Sequence, residues 1–313
     1  MLAGPLGFGC SALVGGRTRR EAERLLAAAV DAGVRHFDVA RVYGTGDAER
    51  LVGAFVRDRG EAITLATKFG IDPIHRSPLT DVAKRVVRVA GRRSRRVLGA
   101  ARRHSAHTTK RGDFSPEKAC SSLRTSLTEL GLDQVDAYLM HDCAAADWAS
   151  AELRVALEEL VTAGLTRSFG TATGRAETLD ILAGRDAPPV AQFDSSALEP
   201  GPIAELRRAG SVTVTYSALS RALPELRGHF TRRPELSAEW SRALDLDASS
   251  MQTLAELLLA DALARNRGGV VLFASAHPQR IERAAAVARD APFSRDQLEH
   301  FRSLTEALIA AAP

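Results

Sequence analysis

Three cysteines in 313 residues, Cys10, Cys120 and Cys143, form neither an even set nor a CxxC pair. A disulfide framework is therefore excluded, and a reducing compartment, the cytoplasm, is expected. No apolar run reaches the ~18 residues that a membrane span needs. The opening stretch MLAGPLGFGCSALVGG has no basic lead-in, so no signal peptide is expected. Aromatic residues make up only 5% of the chain, and none falls between Val82 and Gly112. That stretch also lacks any Asp or Glu, yet holds eleven of the 42 Lys and Arg. Without rings to stack bases it offers no nucleic-acid platform, and no nucleic-acid partner is expected. The 31 basic residues left elsewhere face 38 acidic ones, a remainder of −7. The net charge of +4 thus describes one basic segment on an acidic body. No metal-ligand spacing stands out, and no metal is expected.

Strand and helix patterns alternate along nearly the whole chain. Short apolar runs occur at Leu6–Cys10, Val34–Asp38, Ile63–Lys68, Val135–His141, Thr166–Gly170, Val190–Phe193, Val212–Tyr216 and Gly269–Ala274. Helical spacing separates them: residues 18–33 carry Ala22, Leu25, Leu26, Ala29 and Val30 and stop at Gly33. Ser115-Pro116-Glu117 reads as an N-cap, a proline at the first helical position and an acidic first turn. Further helices are expected near 47–59, 148–163, 175–184, 201–209, 249–266 and 278–289, with 220–248 a looser connection. Eight βα units predict an α/β protein, a (β/α)8 TIM barrel forming one domain over 1–313. Two additions are expected: a basic insertion over 72–114 after the third strand, and an extra C-terminal helix near 294–310. Gly7-Phe8-Gly9-Cys10-Ser11-Ala12 fits the GxGxxA dinucleotide fingerprint of doubly wound folds. Only six residues precede it and no helix opens inside it, so it reads as the first strand and its turn.

Four polar residues, Asp38, Tyr43, Lys68 and His141, sit at or just past the ends of three strand runs. Each alone has a plainer account, as a loop solubiliser or a hydrogen-bonded structural group. Barrel active sites, however, are built at the C-terminal strand ends. A phenol with a pKa near 10 is a poor acid at neutrality, and an ammonium beside it stabilises the phenolate. A carboxylate would hold that ammonium, and an imidazole could orient a carbonyl oxygen. The set can therefore deliver a proton to a carbonyl that receives a hydride.

The fragment Phe37-Asp38-Val39-Ala40-Arg41-Val42-Tyr43-Gly44 resembles the FDTAxxYG signature of the aldo-keto reductases, with Val39 where threonine is usual. Thr67-Lys68 and Leu139-Met140-His141 are similar to that family's strand-3 lysine and strand-4 histidine. The resemblance implies a catalytic tetrad of Asp38, Tyr43, Lys68 and His141. It also implies NADP(H) as cofactor. Gln192 would bind the nicotinamide carboxamide and Tyr216, followed by Ser217, would stack on its ring. Ser275, Gln279 and Arg280 would lie in the cofactor segment, with Ser275 and Arg280 on the 2′-phosphate. Thr171-Ala172-Thr173 stands where the family commonly has Val-Ser-Asn, leaving the Thr173 hydroxyl as the replacement contact. Arg283 and Ala284 occupy positions where Glu and Asn are usual.

The expected activity is hydride transfer between NADP(H) and an aldehyde, ketone, sugar or alcohol, with Tyr43 as general acid/base. The alternative is a cofactor-binding regulatory or redox-sensing protein of the same fold with little turnover. The basic insertion suggests an anionic substrate or an acidic partner docking there.

Overall fold

A computed structural model of the chain describes residues 2–13, 17–57, 59, 62–73, 112–184 and 186–311. Eight parallel strands close into a barrel in chain order: β1 (Leu6–Gly9), β2 (His36–Asp38), β3 (Thr64–Phe69), β4 (Ala137–His141), β5 (Phe169–Ala172), β6 (Val190–Asp194), β7 (Val212–Tyr216) and β8 (Val270–Phe273). Outside run α1 (Arg19–Asp31), α2 (Asp47–Arg57), α3 (Pro116–Leu130), the short α4 (Ala145–Trp148), α5 (Ala151–Thr162), α6 (Arg175–Ala183) and α7 (Ile203–Arg208). Then come α8 (Ala222–Arg232), α9 (Pro234–Leu244), α10 (Met251–Arg265), α11 (Pro278–Asp290) and the additional α12 (Arg295–Ala310). The expected (β/α)8 barrel is the observed fold. Of the insertion expected over 72–114, residues 74–111 lie outside the described residues. Its two ends meet at the rim, where Asp113 N–H donates to the Gly70 carbonyl at 3.0 Å.

Local chemistry explains the element boundaries. Thr18 and Glu21 form a reciprocal capping box at the start of α1, and Gly33 follows its end at φ +95°. Ser115 caps α3, Pro116 takes its first position, and Gly131 ends it in the left-handed region at φ +64°. The stretch 220–248 differs from expectation, because it holds α8 and α9 rather than loose chain. Pro224 and Pro234 look like breakers in the sequence, yet both lie in the first turn of a helix, where no amide partner is lost. Leu226, Phe230, Leu236 and Trp240 from these helices pack with Leu257, Leu258 and Phe301 in a second core.

Strand alternation divides the main core into two layers. Phe8, Phe37, Leu65, Phe69, Tyr138 and Met140 face the helices. Ala66, Ala137, Leu139, Ala172, Val190, Val214, Val270 and Leu272 fill the barrel interior. Gly7 belongs inside: a Cβ there would come within 2.8 to 2.9 Å of Leu272, His36 and Val270 side chains. The register Gly9↔Asp38, Asp38↔Ala66 and Lys68↔Leu139 puts the strand-end polar residues on that same inner face.

Gly53 marks a close approach of two helices, since a Cβ there would stand 2.0 Å from the Leu130 carbonyl oxygen at the end of α3. Gly53→Ala should therefore separate α2 from α3 and destabilise the protein by about 2 kcal/mol or more. A fall in the urea midpoint is the expected reading, and an unchanged midpoint contradicts this packing.

Candidate active site

At the C-terminal mouth of the barrel lies a cavity of ≈ 510 Å³. Asp38, Tyr43, Lys68 and His141, drawn from three strands and one turn, all line it. Asp38 ends β2 and Lys68 is the fifth residue of β3, both pointing inward. Lys68 Nζ donates to Asp38 Oδ1 at 2.6 Å and Oδ2 at 2.7 Å, and to the Val39 carbonyl at 3.2 Å. It also stands 3.4 Å from Tyr43 Oη and 5.0 Å from the centre of its ring. Tyr43 opens a 3-10 turn, Tyr43–Gly46, that leads straight into α2. The His141 ring meets the Tyr43 ring edge-on, with centroids 5.9 Å apart and planes at 89°.

The electrostatics of this cluster are governed by burial. Lys68 is 3% exposed and Asp38 4%. Desolvation pulls the lysine pKa down, but Asp38 and then Tyr43 outweigh it, and the ammonium is held above its ordinary range. Burial raises the Tyr43 phenol above its usual value despite the opposing pull of Lys68. The lowering foreseen from the lysine alone is thus outweighed, and the phenol stays protonated. His141 is pushed down to about 4, chiefly by burial and secondarily by Lys68, so it is a neutral imidazole near neutrality.

The residues assigned to the cofactor are distributed unevenly. Gln192, Tyr216 and Ser217 line the cavity. Gln192 Nε2 donates to Asp38 Oδ1 at 2.9 Å, while its Oε1 is buried with no hydrogen-bond partner among the described residues. Thr173 does not line the cavity: its hydroxyl donates to the Cys143 carbonyl at 3.1 Å and so already has a partner. Ser275, Gln279 and Arg280 lie past β8, outside the cavity lining, around the start of α11. Ser275 Oγ accepts from the His277 amide at 3.2 Å. Arg280 is exposed in the first turn of α11. Arg283 donates to Gln252 Oε1 at 2.8 Å on α10.

Two groups that line the cavity, Gly9 and Asp142, and one buried carboxylate behind it, Glu49, are additional to the residues singled out from the sequence. Gly9 has no side chain to announce itself. Asp142 follows His141 with φ +53°, a conformation rare outside glycine, and its side chain sits at the mouth. The rule that strand ends carry the site would have found it. Glu49 is a different omission: it is 2% exposed and accepts a 2.6 Å hydrogen bond from Thr67 Oγ1 behind β3. It thereby ties the segment that follows Tyr43 to the residue before Lys68.

The family model for the aldo/keto reductase family matches residues 5–306. This chain belongs to the aldo/keto reductase family. An aldo-keto reductase of Mycolicibacterium vanbaalenii is 28% identical over 279 residues, covering 86% of this chain and 78% of the relative. Pyridoxal 4-dehydrogenase of Microbacterium luteolum is 28% identical over 192 residues, 58% of this chain. That match spans only 53% of the dehydrogenase, about half its length. Among solved structures, an aldo-keto reductase from Bacillus halodurans in its holo form superimposes with a TM-score of 0.71. It is 21% identical, covering 96% of this chain and 91% of that one.

Aldo/keto reductases are oxidoreductases that use nicotinamide cofactors. The cavity fits such a group. The orphaned Gln192 Oε1 can accept from an amide N–H, Tyr216 forms part of the wall, and Gly9 lines the cavity without a side chain to fill it.

A second buried imidazole, His36, lies deeper in the barrel, with Nδ1 3.0 Å from Thr64 Oγ1 and its pKa pushed to about 4 by burial. Unfolding returns both histidines to about 6.5. Between about 6.5 and 4 the unfolded chain therefore binds more protons, and stability falls with pH across that window. Each histidine should contribute about 3 kcal/mol to this loss. Urea unfolding at pH 7 and pH 4.5 should show His36→Gln removing roughly half of the histidine-linked slope. An unaltered slope contradicts the assignment.

Proposed function

We propose that this protein is an NADP(H)-dependent carbonyl reductase, or the reverse alcohol dehydrogenase, with Tyr43 as general acid/base. The observation that carries the reading is the buried Tyr43–Lys68–Asp38 chain, in which one ammonium is shared between a carboxylate at 2.6 Å and a phenol at 3.4 Å. Tyr216 and Gln192 would hold the nicotinamide, which when bound would supply the hydride. Tyr43 Oη gives its proton to the carbonyl oxygen as negative charge develops there. Lys68 stabilises the phenolate left behind, and Asp38 keeps Lys68 charged and in place. His141, neutral near pH 7, donates to the same oxygen and fixes its approach. In the oxidative direction the same groups act in reverse.

Asp142 bears on the substrate class. Besides Asp38, Lys68 and this carboxylate, no charged side chain lines the cavity among the described residues, and Lys68 is already neutralised by Asp38. An anionic group close to the reacting carbon would meet Asp142 unscreened. An uncharged carbonyl or alcohol with hydroxyl groups suits this mouth better than an anion. The preference for NADP(H) rests on Arg280, an exposed guanidinium at a helix N-terminus that suits a phosphate.

Tyr43→Phe should lower kcat/KM for a reactive aldehyde by about 10²–10⁴-fold while NADPH binding, followed by fluorescence, survives. Full activity in that variant overturns Tyr43 as the acid. Absence of turnover by the wild type across a broad carbonyl panel favours the regulatory alternative. Arg280→Ala should weaken NADPH binding by roughly tenfold or more and leave NADH unchanged. Asp142→Asn should raise the kcat/KM ratio of an anionic over a neutral aldehyde by about fivefold, since a single exposed charge pair is worth about 1 kcal/mol. An unchanged ratio removes Asp142 from the specificity argument.

A further inference from the structure

A second cavity, ≈ 610 Å³, opens at the opposite end of the barrel, beside the residues that precede β1 and β8. Its walls come from the last turns of α10, the end of α11 and the first half of α12. Leu263, Phe293 and Leu298 give it an apolar floor, and all three are only partly buried. Arg267, Arg295 and Arg302 stand at its edges.

The charge arrangement is unbalanced. Asp261, on α10, has a side chain only 1% exposed and accepts from two guanidiniums, Arg265 Nε at 2.8 Å and Arg302 Nε at 2.6 Å. A buried carboxylate needs a partner, but one guanidinium would satisfy that need. Arg302 engages Asp261 through Nε alone, and its two terminal nitrogens have no hydrogen bond among the described residues. Arg267 has no ion pair among them either. At the rim Arg295 is matched by Glu299 at 2.8 Å. Among the residues that line the cavity, Arg267, Arg295 and Arg302 face a single carboxylate, Glu299, beside an apolar groove.

We infer that this groove is a binding site for a small amphiphilic carboxylate, its apolar body on Leu263, Phe293 and Leu298 and its carboxylate on Arg267 and Arg302. The chemistry follows from the two halves. A guanidinium fork with free terminal N–H groups takes a carboxylate in bidentate fashion. A partly exposed apolar floor gains free energy when an alkyl body covers it, at roughly 25 cal/mol per Å². Neither half alone selects a ligand; together they select a molecule that is anionic at one end and apolar along the rest. The site lies on the far side of the barrel core from Tyr43, and it holds whether or not the proposed reductase activity does.

The test is calorimetric titration of decanoate into the full-length protein, with and without saturating NADPH. Saturable binding in both conditions, with decanol and inorganic phosphate each at least tenfold weaker, is the expected result. Arg267→Ala, an exposed change remote from Tyr43, should weaken decanoate about tenfold, one charge-assisted hydrogen bond. Arg302→Lys keeps a cation for Asp261 but loses the fork, and should weaken it similarly. Both variants should reduce carbonyls at the wild-type rate. The inference is overturned if decanoate fails to bind, if NADPH abolishes its binding, if decanol binds equally well, or if neither variant changes the affinity.

Discussion

An ammonium and a carboxylate, both almost wholly removed from water, are set against each other inside the barrel mouth, and the rest of the candidate site is arranged around them. Taking two charges out of water costs several kcal/mol for each ion, and the cost is recovered only with good geometry and further hydrogen bonds. Here Asp38 accepts from Lys68 through both oxygens and from Gln192 as well. Lys68 adds the Val39 carbonyl. The phenol takes what the ammonium has left, which is why its contact is the longest of the four. Space for this network exists because the neighbouring inward positions are small: Gly9, Ala66 and Ala172.

The barrel and its four-residue cluster were legible in the sequence because both obey simple periods. Strand runs separated by helical spacing gave eight units, and polar residues at the ends of apolar runs had to emerge on one rim. The helices at 222–244 were not legible, since prolines that begin a helix and prolines that break one look alike without the partner surface. Pro234 is resolved only when Trp240, six residues on, is seen against Phe230 and Phe301. The cofactor side was the less legible half. Thr173 has the right kind of hydroxyl, but whether that hydroxyl is free depends on a carbonyl thirty residues away. Asp142 was hidden by its neighbour, because a histidine that completes a known pattern draws attention from the acid beside it.

Global charge and local charge point in opposite directions in this molecule. The surplus of basic residues in one segment suggested an anionic substrate. The cavity itself contains one compensated cation and one uncompensated carboxylate among its described lining residues. Over the few ångströms that separate substrate from wall, that carboxylate acts almost unscreened, because salt damps charges only over a Debye length of about 8–10 Å.

β3 has one further implication, for how the protein can change. Its inward residues Ala66 and Lys68 alternate with outward Thr67 and Phe69, the first tied to Glu49 and the second stacked on Tyr138 at 4.7 Å. Gaining or losing one amino acid inside this strand would invert every later side chain, sending the amine into the oily shell and a benzyl group into the mouth. A single-residue insertion or deletion is therefore tolerable in the connections between strands but not within β3, which can change only by substitution.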